Sequence, residues 1–152
     1  MTTRDRSAHS ADANRLATTF FESLNRGDVD AALSLFSSSA AFEIVPAALR
    51  GTAENTGRYF LSALLTAFPD LLMQIRSLMT TPNLAVVELK MEGTQAAEFL
   101  GVLNQEKHLD LDQAWMLWVN DDKITDLRAY WCQNQLYRRL AVKRLDRISI
   151  LG

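Results

Sequence analysis

The sequence is poor in the residues that make crosslinks and metal cages, with one cysteine and two histidines among its 152 positions. A lone thiol, Cys132, cannot form an internal disulfide, and no Cys/His cluster has the spacing of a structural zinc site. A reducing, cytoplasmic setting is therefore expected. Neither sign of charge dominates: the formal net charge is −2, with acids and bases mixed through the body, which argues against a nucleic-acid footprint or a broad membrane-binding face. Residues Met1 to Ser10 are polar and carry Arg4, Asp5 and Arg6, without the apolar run of a signal peptide or a membrane span. No internal repeat and no low-complexity linker divides the rest. What is present is 48% hydrophobic residues, enough for one globular domain over residues 1–152 with a frayed segment at 1–10 and a C-terminal extension at 141–152.

Ala13, Leu16, Ala17, Phe20 and Leu24 recur at helical spacing, with Asn25-Arg26-Gly27 as the stop. Asp28 can cap a short helix through Ala31, Ala32, Leu35 and Phe36, after which Ala41 to Val45 reads as a buried strand ended by Pro46, and Arg50-Gly51-Thr52 as a connection. Tyr59, Phe60, Ala63, Leu64 and Ala67 form a second amphipathic helix, closed by Pro69-Asp70. Four β-rich segments follow: Leu71 to Met79, Leu84 to Gly93, His108 to Val119 and Lys123 to Gln133. Helices gathered before an antiparallel meander predict an α+β domain, the helices covering one face of a curved sheet with an apolar cavity inside the curve. From Gln133 to Ile150 the pattern continues as a basic amphipathic helix whose apolar face is too weak for a membrane surface.

The run "VVELKMEGTQAAEFLGVLNQEKHLDLDQAWMLWVNDDKITDLRAYW" resembles the core of the SnoaL-like polyketide cyclases within the NTF2-like superfamily. The helix-opening "FFESLNRGDVDAALSLF", the "AFPDL" after the long helix, "EGT" with "EFLGV", and the "DKI" turn support it. Each motif alone is weak; their order and spacing from Ala13 to Leu140 are specific. The resemblance implies an NTF2-like cone, an α+β barrel of curved antiparallel sheet closed by N-terminal helices. It also implies an acid/base aspartate on the last strand and a helping histidine on the strand before. The "DKI" register puts Ala129 at the aspartate position and Trp115 at the histidine position. Neither a methyl nor an indole can remove a proton beside a carbonyl and return one to an alkoxide. No catalytic residue is thereby identified, and Gln113 is the polar side chain nearest to hand.

The same register sets the faces of the strands. With Trp115 inward, Leu109, Leu111, Gln113 and Leu117 are also inward. His108, Asp110 and Asp112, which could otherwise ligate a metal, then lie outside near Glu88, Lys90, Asp126 and Arg128. A charged outer face is favoured over a metal site, and no metal is expected. The expected pocket lining is Phe20, Phe60, Val87, Leu89, Met91, Gln113, Trp115, Leu117, Leu127, Ala129 and Trp131, mostly apolar and suited to a flat polycyclic ligand. Taken singly, each of these residues is more simply read as core. Glu98 reads as a solvated loop carboxylate. Met116 and Trp118 on the outer face suggest a homodimer through the sheet.

Three functions fit. The resemblance extends to a branch that hydroxylates anthracycline-type substrates, and loss of the acid/base pair favours this reading. The chain would bind and orient a polycyclic quinoid substrate, hold no cofactor, and draw electrons from NADPH through a separate reductase partner. The alternatives are a cyclase closing rings by intramolecular aldol chemistry, and a non-catalytic ligand-binding or dimerisation module.

Overall fold

The computed structural model describes residues 6–142, with side chains from residue 12 onward. Helix α1 (Arg6–Asn25) ends where the sequence stops being helical, at Gly27, whose φ of 73° is open to glycine at no steric cost. The N–H of Gly27 donates to Leu24 and that of Asp28 to Ser23, the paired bonds of a Schellman close. Asp28 then starts α2 (Val29–Leu33) by accepting from the Ala31 N–H at 2.9 Å. Leu35 and Phe36, read above as helix, leave it, and strand β1 (Phe36–Ile44) begins five residues earlier than expected. A one-turn 3₁₀ segment at Val45–Ala47 leads into β2 (Leu49–Thr52), so the expected connection at Arg50-Gly51-Thr52 is an edge strand.

A turn at Ala53–Gly57 enters α3 (Arg58–Ala67), and four strands complete the sheet: β3 (Leu72–Thr81), β4 (Leu84–Thr94), β5 (His108–Asn120) and β6 (Lys123–Trp131). Helix α4 is described over Gln133–Arg139; the remainder of the expected C-terminal helix, and the first five residues of the expected frayed N-terminus, lie outside the described residues. Burial along β5 alternates from Leu109 to Val119, as the parity of the sequence requires.

The six strands lie in the order β2-β1-β6-β5-β4-β3. Three neighbouring pairs from β3 to β6 are antiparallel, but β1 joins β6 in parallel, with Phe42 opposite Leu127 and Ile44 opposite Ala129. The expected closed cone is corrected here. A barrel needs its first and last strands to pair, whereas β2 and β3 are edges of an open, mixed sheet that is not strongly curled. The fold is α+β and NTF2-like, with α1 laid across β3, β4 and β5 and the core between helices and sheet. Asn25, at the end of α1, joins the two layers by donating to the Met73 carbonyl at 3.1 Å and accepting the Met73 N–H at 2.7 Å.

Candidate functional site

The inner face of the sheet is built in rows. Leu89, Gln113 and Trp131 are neighbours across β4, β5 and β6; Val87, Trp115, Ala129 and Ile44 form the next row, and Leu117, Leu127 and Phe42 the one after. Met91 stands opposite Leu111 on the same face. Phe20 from α1 meets Trp115 at 5.9 Å between ring centroids, and Phe60 from α3 stacks on Trp131 at 6.2 Å and 23°. All eleven predicted lining residues therefore share one layer. Ten of them are buried, and Trp131 is half-buried.

That layer is packed aromatic to aromatic. Phe20 touches Phe21 and Phe36, Phe21 meets Trp115 edge-on at 5.3 Å, and Phe60 is in reach of Phe42 and Phe99. The expected open apolar cavity is not what these residues form: an open sheet lets α1 settle directly onto Trp115, and rings occupy the space a cone would enclose. Two surface clefts lie elsewhere. One, of about 390 Å³, sits at the hairpin ends around Pro82, Asn83 and Asn120, and the other, of about 470 Å³, beside Asp70, Gln95 and Asn104. Neither is lined by a predicted site residue.

Ala129 points inward and is fully buried opposite Trp115, so the methyl occupies the core side of β6. Gln113 is a buried polar residue whose bonds fix its orientation. The Trp115 indole N–H donates to Gln113 Oε1 at 2.9 Å, and Gln113 Nε2 faces the Met91 sulfur at 3.3 Å. An indole N–H only donates, so the amide oxygen is turned to Trp115 and the Gln113 NH₂ to Met91. The amide cannot take up a proton. Among the described residues no carboxylate, histidine or lysine is buried in this layer.

The sequence reading missed the polar end of the layer. Trp131 Nε1 donates to Gln133 Oε1 at 2.7 Å, and Gln133 Nε2 donates onward to the Tyr137 hydroxyl at 3.3 Å. Gln133 and Tyr137 are one turn apart on α4. The loop between β4 and β5 covers this end. Phe99 packs on Phe60 and Phe68, and Gln105 donates to the Leu140 and Ala141 carbonyls at the end of α4. The spacing Trp131-x-Gln133-x-x-x-Tyr137 was the available signal, but its meaning depends on a strand passing straight into a helix.

The outer face carries the charges. His108 and Asp112 are exposed, Asp110 pairs with Lys90 at 3.1 Å, and His108 Nδ1 lies 3.3 Å from Thr94 Oγ1. Arg128 reaches Glu43 at 3.6 Å and stands 5.0 Å from the ring centre of Trp118. Trp118 is thus partly covered by its own chain, which weakens it as a sign of a partner surface. Glu98 is exposed. No helix of the described residues is long and apolar enough to cross a membrane.

A SnoaL-like domain model matches residues 17–127. The chain belongs to the SnoaL-like family. Solved structures of similar fold include a candidate SnoaL-like polyketide cyclase from Jannaschia sp. CCS1, at 16% identity and TM-score 0.80 over 93% of this chain and 100% of that one. AclR, a candidate hydroxylase from Streptomyces galilaeus, is 19% identical at TM-score 0.76 over 87% and 82% of the two chains. A candidate polyketide cyclase from Xanthomonas campestris pv. campestris is 19% identical at TM-score 0.74 over 87% and 98%. Among curated proteins, none matches the sequence significantly. SnoaL-like membership supports catalytic function in general, within a family of polyketide cyclases and tailoring enzymes.

Proposed function

We propose that this chain is a polyketide-tailoring enzyme that closes a ring in an aromatic polyketide by an intramolecular aldol reaction. The observation that carries the reading is family membership over residues 17–127, together with cyclases among the proteins of similar fold. With Ala129 and Trp115 where an acid/base pair would stand, catalysis rests on orientation and hydrogen-bond donation. The substrate reaches the layer beside Trp131, where the Phe99 loop has to move aside. Its activated methylene loses a proton to solvent, the resulting carbanion attacks the ketone carbon, and the ketone oxygen takes up a proton. Hydrogen-bond donors at the half-buried Trp131 end of the layer stabilise the charge that gathers on that oxygen. No cofactor takes part.

The second reading is hydroxylation, favoured by the missing acid/base pair and by the likeness to AclR. Here a reduced quinoid substrate reacts with dioxygen, one oxygen atom entering the ring and the other leaving as water, with electrons supplied from NADPH by a separate reductase. Incubation with an anthraquinone bearing a β-keto side chain under nitrogen tests the first reading, which expects ring closure without oxygen. Incubation with a reduced anthracyclinone, labelled dioxygen and an NADPH-dependent reductase tests the second. Label in the product together with no anaerobic closure would overturn the cyclase. Saturable binding with no product in either arm would leave a ligand-binding module.

A further inference from the structure

We infer that the Tyr137 phenol is a hydrogen-bond donor to a carbonyl oxygen of the bound molecule; the inference rests on the proposed polycyclic-carbonyl substrate class. The argument is one of hydrogen-bond polarity. The Trp131 indole N–H donates to Gln133 Oε1 at 2.7 Å, and because an indole has no acceptor to offer, that contact fixes which end of the Gln133 amide faces Trp131. The Gln133 NH₂ is therefore the end turned to Tyr137, 3.3 Å from its oxygen. The phenol oxygen receives a hydrogen bond, so its own O–H points elsewhere, and among the described residues it has no acceptor.

The position suits a ligand. Tyr137 is half-buried against the core, on the helix that follows Trp131, and Trp131 is the one half-buried member of a layer whose other predicted lining residues are closed to solvent. A flat ring system laid against the exposed part of Trp131 brings its edge to the phenol. The Tyr137 O–H, its phenol oxygen engaged by Gln133, is then the donor presented at the rim of the layer. In ring closure, the phenol stabilises the oxygen on which negative charge develops.

The test pairs one substitution with one change in the ligand. 2-Hydroxyanthraquinone and 2-hydroxyanthracene have the same three-ring outline, but only the first has quinone carbonyls. Binding of each is followed by quenching of tryptophan fluorescence in wild type and Tyr137→Phe. The expected result is about threefold to tenfold weaker quinone binding in the variant, with hydroxyanthracene binding unchanged. The unchanged hydroxyanthracene affinity also reports that the variant is folded. Equal quinone affinity in the two proteins would overturn the donor role while leaving the substrate class standing. Failure of wild type to bind either compound would overturn both.

Discussion

The two ends of the inner sheet face use the same residue types for different ends. Around Trp115, Phe20 and Phe21 meet the indole with no water-accessible surface to speak of, and the single polar contact, to Gln113, serves to bury the indole N–H. Around Trp131, the equivalent indole N–H also finds a glutamine, but that glutamine sits on a helix, stays half-buried and passes the bond to a phenol. One tryptophan–glutamine pair satisfies a polar group inside a core; the other carries hydrogen-bonding capacity toward the rim. The difference comes from position along the strands. Trp115 lies mid-strand under α1, whereas Trp131 is the last residue of β6 and the chain leaves the sheet directly after it.

The strongest way to break this contrast is Ala129→Asp, which would place a carboxylate in the packed end. If that end is solid, the substitution should cost about 4 kcal/mol or more at pH 8, enough to unfold a marginal domain, because a buried carboxylate there has no partner and no room. Burial would raise the new group's folded pKa above its unfolded value. The penalty should therefore be smallest below the ordinary carboxylate range and grow as pH rises through it, as read by urea melts at several pH values. A wild-type melt at pH 8 would mean that Ala129 faces open space. Next, Trp115→Ala should cost about 3–5 kcal/mol. Its counterpart Trp131→Ala, half-buried, should cost clearly less; equal losses in paired melts would erase the distinction between the ends.

Smaller effects test the frame around them. Asn25→Ala removes a donor and an acceptor from the Met73 backbone and should cost about 1–3 kcal/mol, with hydrogen exchange at Met73 accelerated. Arg58→Ala should fall within the error of a thermal melt. Hydrogen bonds from the guanidinium to Glu54 and Asp30 raise its pKa further above neutrality, so it stays charged throughout, and the network is fully exposed to screening.

Strand parity made the faces legible. Leu109, Leu111, Gln113, Trp115 and Leu117 could be placed inside, and His108, Asp110 and Asp112 outside, from alternation alone. The pairing of β1 with β6 was not legible, because about eighty residues separate Phe42 from Leu127 and nothing in the local pattern of either says that they run side by side in the same direction. With that pairing unread, the sheet could be imagined curling shut and the aromatic lining standing around a void. Composition distinguishes an apolar layer from a polar one, but not a filled layer from a hollow one. Gln133 and Tyr137 escaped for another reason. They fall at and after the boundary between the expected last strand and the basic helix, and only the direct passage of β6 into α4 sets them beside Trp131.

The side chain of Asn25 touches the backbone of Met73 as another strand would, matching one donor and one acceptor on the outward side of β3. An exposed strand margin ordinarily invites a neighbouring polypeptide to zip onto it. At Met73 a helix terminus has taken that seat, so the sheet's own first helix doubles as a stopper against a stranger's backbone on that part of the strand.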